Sequence, residues 1–340
     1  MELRIATKFE MANSWLKENA ERAPFCQSFE WEEILSRGGK NVERLVVLGD
    51  SEPIAMALVE YHQLPFGWKY AFCPKGPVVK KNLESGIRNL VIELLEKYLH
   101  DKKCIFFRFE PRADYELKTA NRELRKTVDI NPRATMILNL MRTPDELLAS
   151  MHQKTRYNIN LAQKKDLRVN DIKDADLFMT LMHETGKRDK FRLHEDKHYH
   201  EIIFSSCSYQ LTVFSGQRPI ATAVFVGFGD TFTYVFGASS YEHRALMAPY
   251  LIQWEGIKLG QRYGYKYYDF FGVAPAKVAG NKPQVAGEYE YDAKHQYAGV
   301  TRFKQGFGGE YHEDPGTFDL IISNWRYRVY GWLRALRRLI

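Results

Sequence analysis

The run from His295 to Gly309 combines residue types that could stabilise a negative charge as it develops. Lys304 supplies a cation, Phe303 precedes it, and glycines follow at positions 306, 308 and 309. Glycine lets a backbone approach a ligand closely, and a fixed ammonium group stabilises an oxyanion or a phosphate. Taken alone, the run is also typical of an ordinary strand and turn with a surface lysine on a hairpin. The flanking phenylalanine and the glycines favour a functional role for Lys304.

Two further groups of residues have more than one interpretation. The helix predicted from Met151 to Lys165 carries four basic side chains, Lys154, Arg156, Lys164 and Lys165. Such a run is either a solvated helix face or a contact with a nucleic-acid backbone. Three histidines at positions 194, 198 and 200 have a spacing that suggests a metal. Because no recognised pattern of Asp, Glu or Cys accompanies them, we predict no metal site.

Strands and helices must position these residues, and both halves of the chain show a similar order of patterns. The first half is predicted to contain a hairpin of two strands, a helix and a further strand, at residues 44–48, 53–60, 83–99 and 104–111. The second half is predicted to contain helices, three strands, a helix and a strand, at residues 143–165, 175–187, 209–214, 220–226, 231–236, 249–263 and 266–273. The repeated order indicates a duplicated α/β domain of the acyltransferase type.

Residues 325–340 are predicted to form a short amphipathic helix. Its apolar face is predicted to contain Trp325, Val329, Trp332, Leu333, Leu336 and Ile340. The arginines at positions 326, 334, 337 and 338 fall elsewhere on the helix. The helix either docks on the first domain or lies on an anionic membrane surface, and both can hold if the arginines stay in solvent.

The composition is typical of a soluble globular enzyme with anionic partners. With 340 residues the chain is long enough for two domains, and 45% hydrophobic and 27% charged residues exclude a disordered or fibrous protein. The formal charge of +7 favours RNA, nucleotide phosphates or anionic lipid. We find no signal-peptide pattern and no stretch of roughly 18 apolar residues. The cysteines at positions 26, 73, 104 and 207 lack a C-x-x-C spacing, so we expect reduced thiols in a cytoplasmic protein.

Seven segments make the chain similar to the FemABX family, the aminoacyl-tRNA-dependent transferases that build peptidoglycan cross-bridges. They stand in family order and are Gln27–Trp31, Phe72–Val79, Lys154–Lys164, Glu184–Phe191, Gly237–Trp254, Tyr268–Val273 and Arg302–Gly309. No single segment is decisive, but together they cover almost the whole chain.

The resemblance implies an α/β (α+β) fold of two tandem GNAT-like acyltransferase domains, each a mixed sheet flanked by helices. The acceptor-binding domain is expected to be residues 1–144 with 315–340, and the domain on the aminoacyl-tRNA side residues 145–314. We see no coiled-coil insertion, so the chain looks like the compact, FemX-like form. The implied reaction transfers an amino acid from aminoacyl-tRNA to the stem-peptide amine of a peptidoglycan precursor, with no cofactor.

The precursor implied by the resemblance is either lipid-linked or UDP-linked. The arginine-rich terminal helix favours the lipid-linked form, and with it a protein at the inner face of the plasma membrane. The reaction is aminolysis of an activated ester, which requires neither nucleotide hydrolysis nor a metal. The protein must hold two large anionic substrates, expose a neutral amine and stabilise the tetrahedral oxyanion.

The resemblance also assigns roles to single residues. Lys304, with Phe303 beside it, corresponds to the family lysine at the tRNA end and the oxyanion, and Glu110 to an acid that lines the acceptor cleft. Glu110 either accepts a proton or holds the incoming ammonium group, or it is a strand-end carboxylate paired with Arg108 or Arg112. The resemblance further assigns acceptor contacts to Arg192, Tyr199 and Tyr250. Position and charge make Arg37, Lys75 and Asp269 further candidates for the acceptor, and the basic run of Lys154, Arg156, Lys164 and Lys165 the candidate for tRNA.

One departure and two alternative functions accompany these assignments. Leu35 stands where some family members have a lysine for the acceptor phosphates, and Arg37 or Lys40 could reach the same place. A position such as that of Asp269 is more often structural, as the cap of a loop. One alternative function is an acyl-CoA-dependent N-acyltransferase, although no clear pyrophosphate-binding loop opens a helix. The other is a non-catalytic adaptor that binds RNA or membrane.

Overall fold

The computed structural model describes residues 1–6, 10–112, 123–189, 192–277 and 289–336, without the side chains of Glu10, Met11 and Ser85. The predictions for Arg337, Arg338 and Ile340, and the last two residues of the segment Glu184–Phe191, lie outside these ranges. The chain divides into two compact units, the first formed by Met1–Arg133 and Asp314–Ile340, the second by Ala134–Glu313. None of the four cysteines, all of which lie within the described ranges, takes part in a disulfide.

The described residues form the following strands and helices. In chain order the strands are β1 (Glu2–Ile5), β2 (Val42–Gly49), β3 (Glu52–Gln63), β4 (Lys69–Cys73), β5 (Val78–Val79), β6 (Cys104–Phe109), β7 (Leu124–Lys126), β8 (Ala134–Asn139), β9 (Leu167–Asn170), β10 (Ser208–Ser215), β11 (Arg218–Phe228), β12 (Thr231–Ser239), β13 (Tyr267–Asp269), β14 (Glu310–Glu313) and β15 (Phe318–Ile321). The helices are α1 (Glu10–Asn19), α2 (Phe29–Arg37), α3 (Ser85–Asp101), α4 (Pro144–Ser150), α5 (Gln153–Gln163), α6 (Ala175–Asp189), α7 (Asp196–Ile203), α8 (Ala248–Arg262), α9 (Ala298–Gln305) and α10 (Asn324–Leu336).

The first unit is built on a mixed sheet with strand order β1-β2-β3-β4-β6-β15-β7, to which β5 adds beside β3. Its neighbouring strands are antiparallel except for β4 and β6, which are parallel and joined through α3. A parallel pair needs a long crossover of this kind. Val91, Leu95 and Leu99 recur at helical spacing on α3 and pack with Val47 and Phe107 of the sheet. This packing makes the core of the first unit.

Helix α10 docks on this sheet through tyrosines. The ring centre of Phe106 lies 5.3 Å from that of Tyr327 and 5.0 Å from that of Tyr330. Trp325 and Trp332 are instead 61% and 64% exposed. The predicted apolar face is therefore only partly the buried one: Trp325, Trp332 and Leu336 are exposed, whereas Val329 and Leu333 are half-buried. Tyrosine can bury its ring while its hydroxyl keeps a polar partner, which makes these tyrosines suitable for the docked side.

A buried ion pair joins β6 to β15. The guanidinium group of Arg108 donates to both carboxylate oxygens of Asp319, at 2.7 and 2.8 Å, and Arg108 and Asp319 are 3% and 0% exposed. The Tyr327 hydroxyl donates to the same carboxylate at 2.8 Å. Charges removed from water are tolerated only when paired and hydrogen-bonded in this way, so the pair fixes how β15 and α10 attach.

The second unit is built on a mixed sheet with strand order β14-β8-β13-β12-β11-β10-β9. Its neighbouring strands are antiparallel except for β12 and β13, which are parallel and joined through α8. Leu251, Trp254 and Ile257 of α8 are buried against Phe225 and Phe232 of the sheet. The same crossover arrangement therefore occurs in each unit.

The boundary between the units differs from the one drawn on the sequence. Strand β8 pairs with β13 and with β14, so residues 134–139 belong to the second sheet. The first boundary falls after Arg133, where the sequence analysis placed it after residue 144, and the chain returns to the first unit at Asp314. An isolated apolar strand does not indicate which sheet it joins, because its partners lie far away in sequence.

Within the described ranges, no helix combines the length and the apolar content needed to cross a bilayer.

Candidate active site

Lys304 lies near the end of α9 in the second unit, and it is only 5% exposed. Its Nζ donates hydrogen bonds to the backbone carbonyl of Gly272, at 2.8 Å, and to that of Phe271. The same atom lies 5.5 Å from the centre of the Tyr234 ring. The interpretation as a surface lysine on a hairpin is therefore wrong, because Ala298–Gln305 is helical and the side chain points into the unit.

The ammonium group lies beyond the last paired residues of β12 and β13. Their hydrogen-bonded register joins Thr231–Thr233 to Tyr267–Asp269. Past this register, Tyr234 continues β12, whereas the segment after β13 leaves the sheet through Phe271 and Gly272. Nζ donates to these two carbonyls and lies 5.5 Å from the centre of the tyrosine ring. The second unit thus holds a buried cation next to the point where its two parallel strands separate.

Asp269 stabilises the turn that supplies these carbonyls. Phe271 and Gly272 have φ values of +48° and +61°, a left-handed conformation that costs energy for phenylalanine. The Asp269 carboxylate accepts a hydrogen bond from the Phe271 N–H, at 2.7 Å, and another from the Thr135 hydroxyl. These contacts support the structural interpretation of Asp269. They also explain why the strand predicted at residues 266–273 ends at Asp269.

Burial lowers the pKa of Lys304 from its ordinary value of 10.5 to about 7, although the charge of Asp269 acts in the opposite direction. Carbonyl dipoles and an aromatic face stabilise an ammonium less than a carboxylate contact does. In the described part of the chain, no carboxylate oxygen lies within ion-pairing distance of Nζ. A lysine with this environment is a candidate for function, because its charge is costly until an anion arrives.

Two tyrosines and a glutamine extend this site, and sequence analysis did not single them out. The Tyr268 hydroxyl donates to Oε1 of Gln253 at 2.6 Å, and Gln253 is 1% exposed. Burial raises the pKa of Tyr234 to about 12, against the effect of its hydrogen bond with Gln253. The available signal was Gln253 itself, a polar residue among apolar neighbours on a predicted buried helix.

Phe303 and Tyr250 belong to one aromatic cluster in the second unit. Their ring centres are 5.1 Å apart in an edge-to-face arrangement, and Phe307 lies 5.2 Å from Phe303. Both Phe303 and Tyr250 are partly buried against the core. The structure therefore brings together the helix that carries Lys304 and the tyrosine predicted as an acceptor contact.

The glycines after Lys304 pack against the chain itself. A Cβ on Gly306 would collide with Oγ1 of Thr155, and a Cβ on Gly309 would lie 2.7 Å from the carbonyl oxygen of Ile137. Gly309 also has a φ of +97°, which side chains disfavour. These two glycines permit close approach to α5 and β8, so the argument from ligand contact does not apply to them.

Glu110 is part of a hydrogen-bonded cluster in the first unit, and it is 3% exposed. Its carboxylate accepts hydrogen bonds from the Lys75 N–H at 3.2 Å, from the Asn131 N–H and side chain, both at 2.8 Å, and from the Thr317 hydroxyl at 3.1 Å. Pairing with Arg108 or Arg112 is wrong, since Arg108 binds Asp319 and Arg112 donates to the Glu21 carbonyl. These contacts favour a role in holding loops together.

The predicted acceptor cations of the first unit have different environments. Nζ of Lys75 donates to the Pro132 carbonyl at 2.6 Å and to Asp314 at 3.1 Å. Burial alone would lower the pKa of Lys75, but Asp314 and Glu110 outweigh it and raise the pKa. Arg37 is exposed and lies 3.3 Å from Glu33. Lys75 is thus engaged within its own unit, whereas Arg37 is accessible.

Leu35, at the position of the family lysine, is a buried core residue of α2 and only 6% exposed. A lysine there could not reach solvent without displacing this packing. The leucine at this position, which departs from the family pattern, is therefore part of the packing of α2.

Tyr199, predicted as an acceptor contact, is instead a core residue. It is 2% exposed, and its ring lies 5.6 Å from that of Phe178 and 5.0 Å from that of Phe236. Arg192, predicted beside it, is exposed. In the described part of the chain, no three His, Cys, Asp or Glu side chains are grouped to hold a metal ion.

The four predicted tRNA-binding residues lie on α5 and at its end. Lys154, Lys164 and Lys165 are exposed, as expected for either a solvated face or a phosphate contact. Arg156 is half-buried and donates to the Met151 carbonyl, so it also fixes the start of the helix.

Comparisons with known proteins identify the family and the fold. A model of the FemAB family matches residues 9–129, 123–205 and 208–334. The aminoacyltransferase FemA of Staphylococcus epidermidis is 20% identical over 384 residues, with 85% of this chain and 88% of that protein covered. The lipid II:glycine glycyltransferase of Staphylococcus aureus is 20% identical over 390 residues, with 89% of each covered.

Two solved structures share the fold. The crystal structure of FemX superposes with a TM-score of 0.76 at 18% identity, covering 97% of this chain and 99% of that one. A tandem GNAT protein from the clavulanic acid biosynthesis pathway superposes with a TM-score of 0.54 at 10% identity, covering 95% and 99%. Both likenesses concern architecture.

The protein is therefore built on the tandem GNAT-like α/β fold, as predicted. The chain belongs to the FemAB family, which confirms the resemblance inferred from its seven segments. The relatives it matches are named for the transfer of aminoacyl or glycyl groups, so the family is one of acyl-transferring enzymes.

Proposed function

We propose that this protein is an aminoacyltransferase that moves an amino acid from aminoacyl-tRNA to the stem-peptide amino group of a peptidoglycan precursor. The observation that carries the proposal is the buried Lys304 ammonium group, held on backbone carbonyls in a member of the FemAB family. One relative is named for lipid II, and the proposed acceptor is accordingly a lipid-linked precursor. The aminoacyl-tRNA serves as co-substrate, and no cofactor takes part.

In the proposed step, the acceptor amine attacks the ester carbonyl of the aminoacyl-tRNA. A C–N bond forms, the bond from the carbonyl carbon to the ribose oxygen breaks, and the proton lost by the amine goes to that oxygen. Negative charge develops on the carbonyl oxygen in the tetrahedral intermediate, after the C–N bond forms and before the bond to the ribose oxygen breaks. A lysine ammonium group has three N–H donors, and the carbonyls of Phe271 and Gly272 account for two. The third is the donor proposed for the oxyanion or the tRNA end.

The low pKa of Lys304 has a consequence for donor binding. At neutral pH a group with a pKa of about 7 is only partly protonated. An anion placed beside Nζ favours the charged form, so arrival of the charged tRNA end is expected to draw a proton onto Lys304. The full cation would then be present only with substrate bound.

The remaining contacts proposed for the substrates use accessible side chains. Lys154, Lys164 and Lys165 suit the tRNA backbone, where phosphate contacts are independent of base sequence and weaken with salt. Arg37 and Arg192 are exposed cations suited to acceptor phosphates. For an acceptor held in the inner leaflet, we also propose that residues 325–340 meet the membrane surface.

The test is a transfer assay with purified protein, a mixed pool of tRNA charged with labelled amino acids, and both the lipid-linked and the UDP-linked precursor. Label on one precursor identifies donor and acceptor together. Lys304→Met is expected to abolish transfer without loss of the fold. Lys164→Met, which removes one proposed phosphate contact, is expected to weaken tRNA binding without abolishing transfer. The contacts of Glu110 are internal, so Glu110→Gln is expected to lower stability before it lowers the chemical rate.

Three outcomes would contradict the proposal. Unchanged transfer by Lys304→Met would remove the role of that residue. No label on either precursor, with the charged tRNA shown to be intact, would overturn the tRNA-dependent reaction. Tight binding of acetyl-CoA by calorimetry, together with acetyl transfer to an amine, would identify an acyl-CoA-dependent enzyme instead.

A further inference from the structure

Four aromatic side chains and a leucine of the first unit form an exposed surface, here called the outward aromatic patch. Its members are Phe66, Trp68, Trp325, Trp332 and Leu336. Phe66, Trp325 and Trp332 are 73%, 61% and 64% exposed. Large aromatic side chains grouped at the surface mark a binding site more often than single exposed residues do.

The patch joins two elements that are far apart in sequence. The ring centre of Trp68 lies 5.3 Å from that of Phe66 and 5.5 Å from that of Trp325, whose ring is perpendicular to it. Phe66 occupies the turn between β3 and β4 with a φ of +64°, a left-handed value that is costly for phenylalanine. The chain therefore holds a large apolar ring at an exposed turn in a conformation that a glycine would adopt more easily.

The outward direction of α10 follows from how the helix is attached. Trp325, Arg328 and Trp332 are three or four residues apart and share one face, and all three are exposed. Tyr327 and Tyr330 lie on the other side and pack on the sheet. The helix is thus fixed to the first unit by its tyrosines and presents tryptophans to the surroundings.

Positive charge accompanies the aromatic rings. The Arg326 guanidinium group lies 5.9 Å from the centre of the Trp68 ring and 5.2 Å from that of Trp325. Its Nε is buried and has no hydrogen-bond partner within the described part of the chain. Arg328 is exposed on the same face as the tryptophans. Tryptophan beside arginine is the composition favoured at a bilayer surface, where indole rings lie at headgroup depth and cations pair with anionic headgroups.

We propose that the outward aromatic patch docks the first unit on a bilayer that contains anionic lipid. The aromatic rings enter the headgroup layer, and Arg326 and Arg328 pair with lipid phosphates. This goes beyond a contact by the terminal helix, because the turn at Phe66 becomes part of the site. The purpose of docking, which is to meet a lipid-linked acceptor, rests on the proposed function. Docking itself requires neither tRNA nor precursor.

The test is flotation of the full-length protein with two kinds of vesicle. One contains phosphatidylcholine alone, and the other equal parts of phosphatidylcholine and phosphatidylglycerol. Wild type is expected to float with the anionic vesicles and to be released by salt. Replacing Arg326 and Arg328 together with Gln should weaken this binding by roughly 25-fold, about fivefold for each cation near the surface. Replacing Trp325 and Trp332 together with Ala should weaken it by roughly tenfold or more.

A matched pair of phenylalanine variants separates the patch from general surface apolarity. Phe66→Ala should reduce vesicle binding, whereas Phe204→Ala, at a position that is 50% exposed in the second unit, should not. Circular dichroism of each variant establishes that the fold is kept. Because the altered side chains are exposed, apart from Arg326, which is half-buried, no change in unfolding temperature beyond a few degrees is expected.

The other results either overturn docking or separate it from the proposed function. Wild type that does not float with anionic vesicles excludes docking, and equal flotation with both vesicle types excludes the arginine contribution. Self-association in solution that the Trp325 and Trp332 changes abolish would assign the patch to a second copy of the chain. Amino acid transfer without vesicle binding would overturn docking and keep the proposed function, and vesicle binding without transfer would do the reverse.

Discussion

Lys304→Met should change the pH dependence of stability in a direction set by burial. In the unfolded chain the lysine has its ordinary pKa of 10.5, and in the folded protein about 7. Between these values the unfolded state binds more protons than the folded state, so raising the pH favours folding. Below about pH 7 both states are protonated and the folded state bears the whole cost of the buried charge. The Lys304→Met variant carries no such cost at any pH, because a thioether does not titrate.

The size of the effect follows from the same two values. The interval from about 7 to 10.5 corresponds to roughly 5 kcal/mol, at about 1.4 kcal/mol for each pH unit. The variant also leaves the carbonyls of Phe271 and Gly272 without their donor, which costs roughly 1–3 kcal/mol each. Near neutral pH, removal of the buried charge stabilises the variant and loss of the two hydrogen bonds destabilises it, so the two effects oppose one another. The slope is therefore the more informative quantity, because the lost hydrogen bonds are independent of pH.

The assay is urea denaturation of both proteins across this pH interval. Hydrogen exchange of peptides from β12 and α9 reports on the second unit, which holds Lys304. The free energy of unfolding of wild type should rise relative to that of the variant by up to about 1.4 kcal/mol per pH unit. Lys164→Met, which removes an exposed lysine, should show no such slope. A constant difference between wild type and Lys304→Met, or one of opposite sign, would refute the argument.

Three further substitutions test the packing. Asp319→Ala leaves Arg108 buried without its carboxylate, so urea denaturation should show the first unit destabilised by about 3–5 kcal/mol; a loss below about 1 kcal/mol would contradict the pairing. Gly306→Ala should cost roughly 1–3 kcal/mol through its collision with Thr155, and thermal unfolding should show that Thr155→Ala recovers part of this loss; no recovery would place the strain elsewhere. Thr143→Ala removes the hydroxyl that caps α4 by accepting from the Glu146 N–H, while the backbone N–H of residue 143 can still donate to Glu146, and should cost about 1 kcal/mol by urea denaturation.

Much of the secondary structure could be predicted because apolar periodicity is a local signal. The hairpin at 44–60 and the helix at 83–99 correspond to β2, β3 and α3. The helix that carries Lys304 was missed because glycine follows it closely and its apolar pattern is short. Whether Lys304 is buried depends on carbonyls at residues 271 and 272, which no local pattern connects to it.

The environments of the predicted site residues depended on distant contacts. Glu110 is saturated by residues 131 and 317, and Tyr199 is covered by Phe178 and Phe236. The apolar face predicted for α10 was incomplete for a related reason, since it left out Tyr327 and Tyr330, which pack on the sheet. The spacing of apolar residues predicts that a helix forms, whereas the sheet against which it packs decides which face is buried.

The position of β15 has a consequence for how the chain folds during synthesis. This strand lies between β6 and β7, and Asp319 binds Arg108, which precedes it by 211 residues. All of the second unit leaves the ribosome before Asp319 does, so that unit can complete its sheet first. Until then β6 presents an unpaired edge, a state prone to pairing with other chains. The amino-terminal unit is therefore the last to be completed, and its nascent form is the one that most needs protection from aggregation.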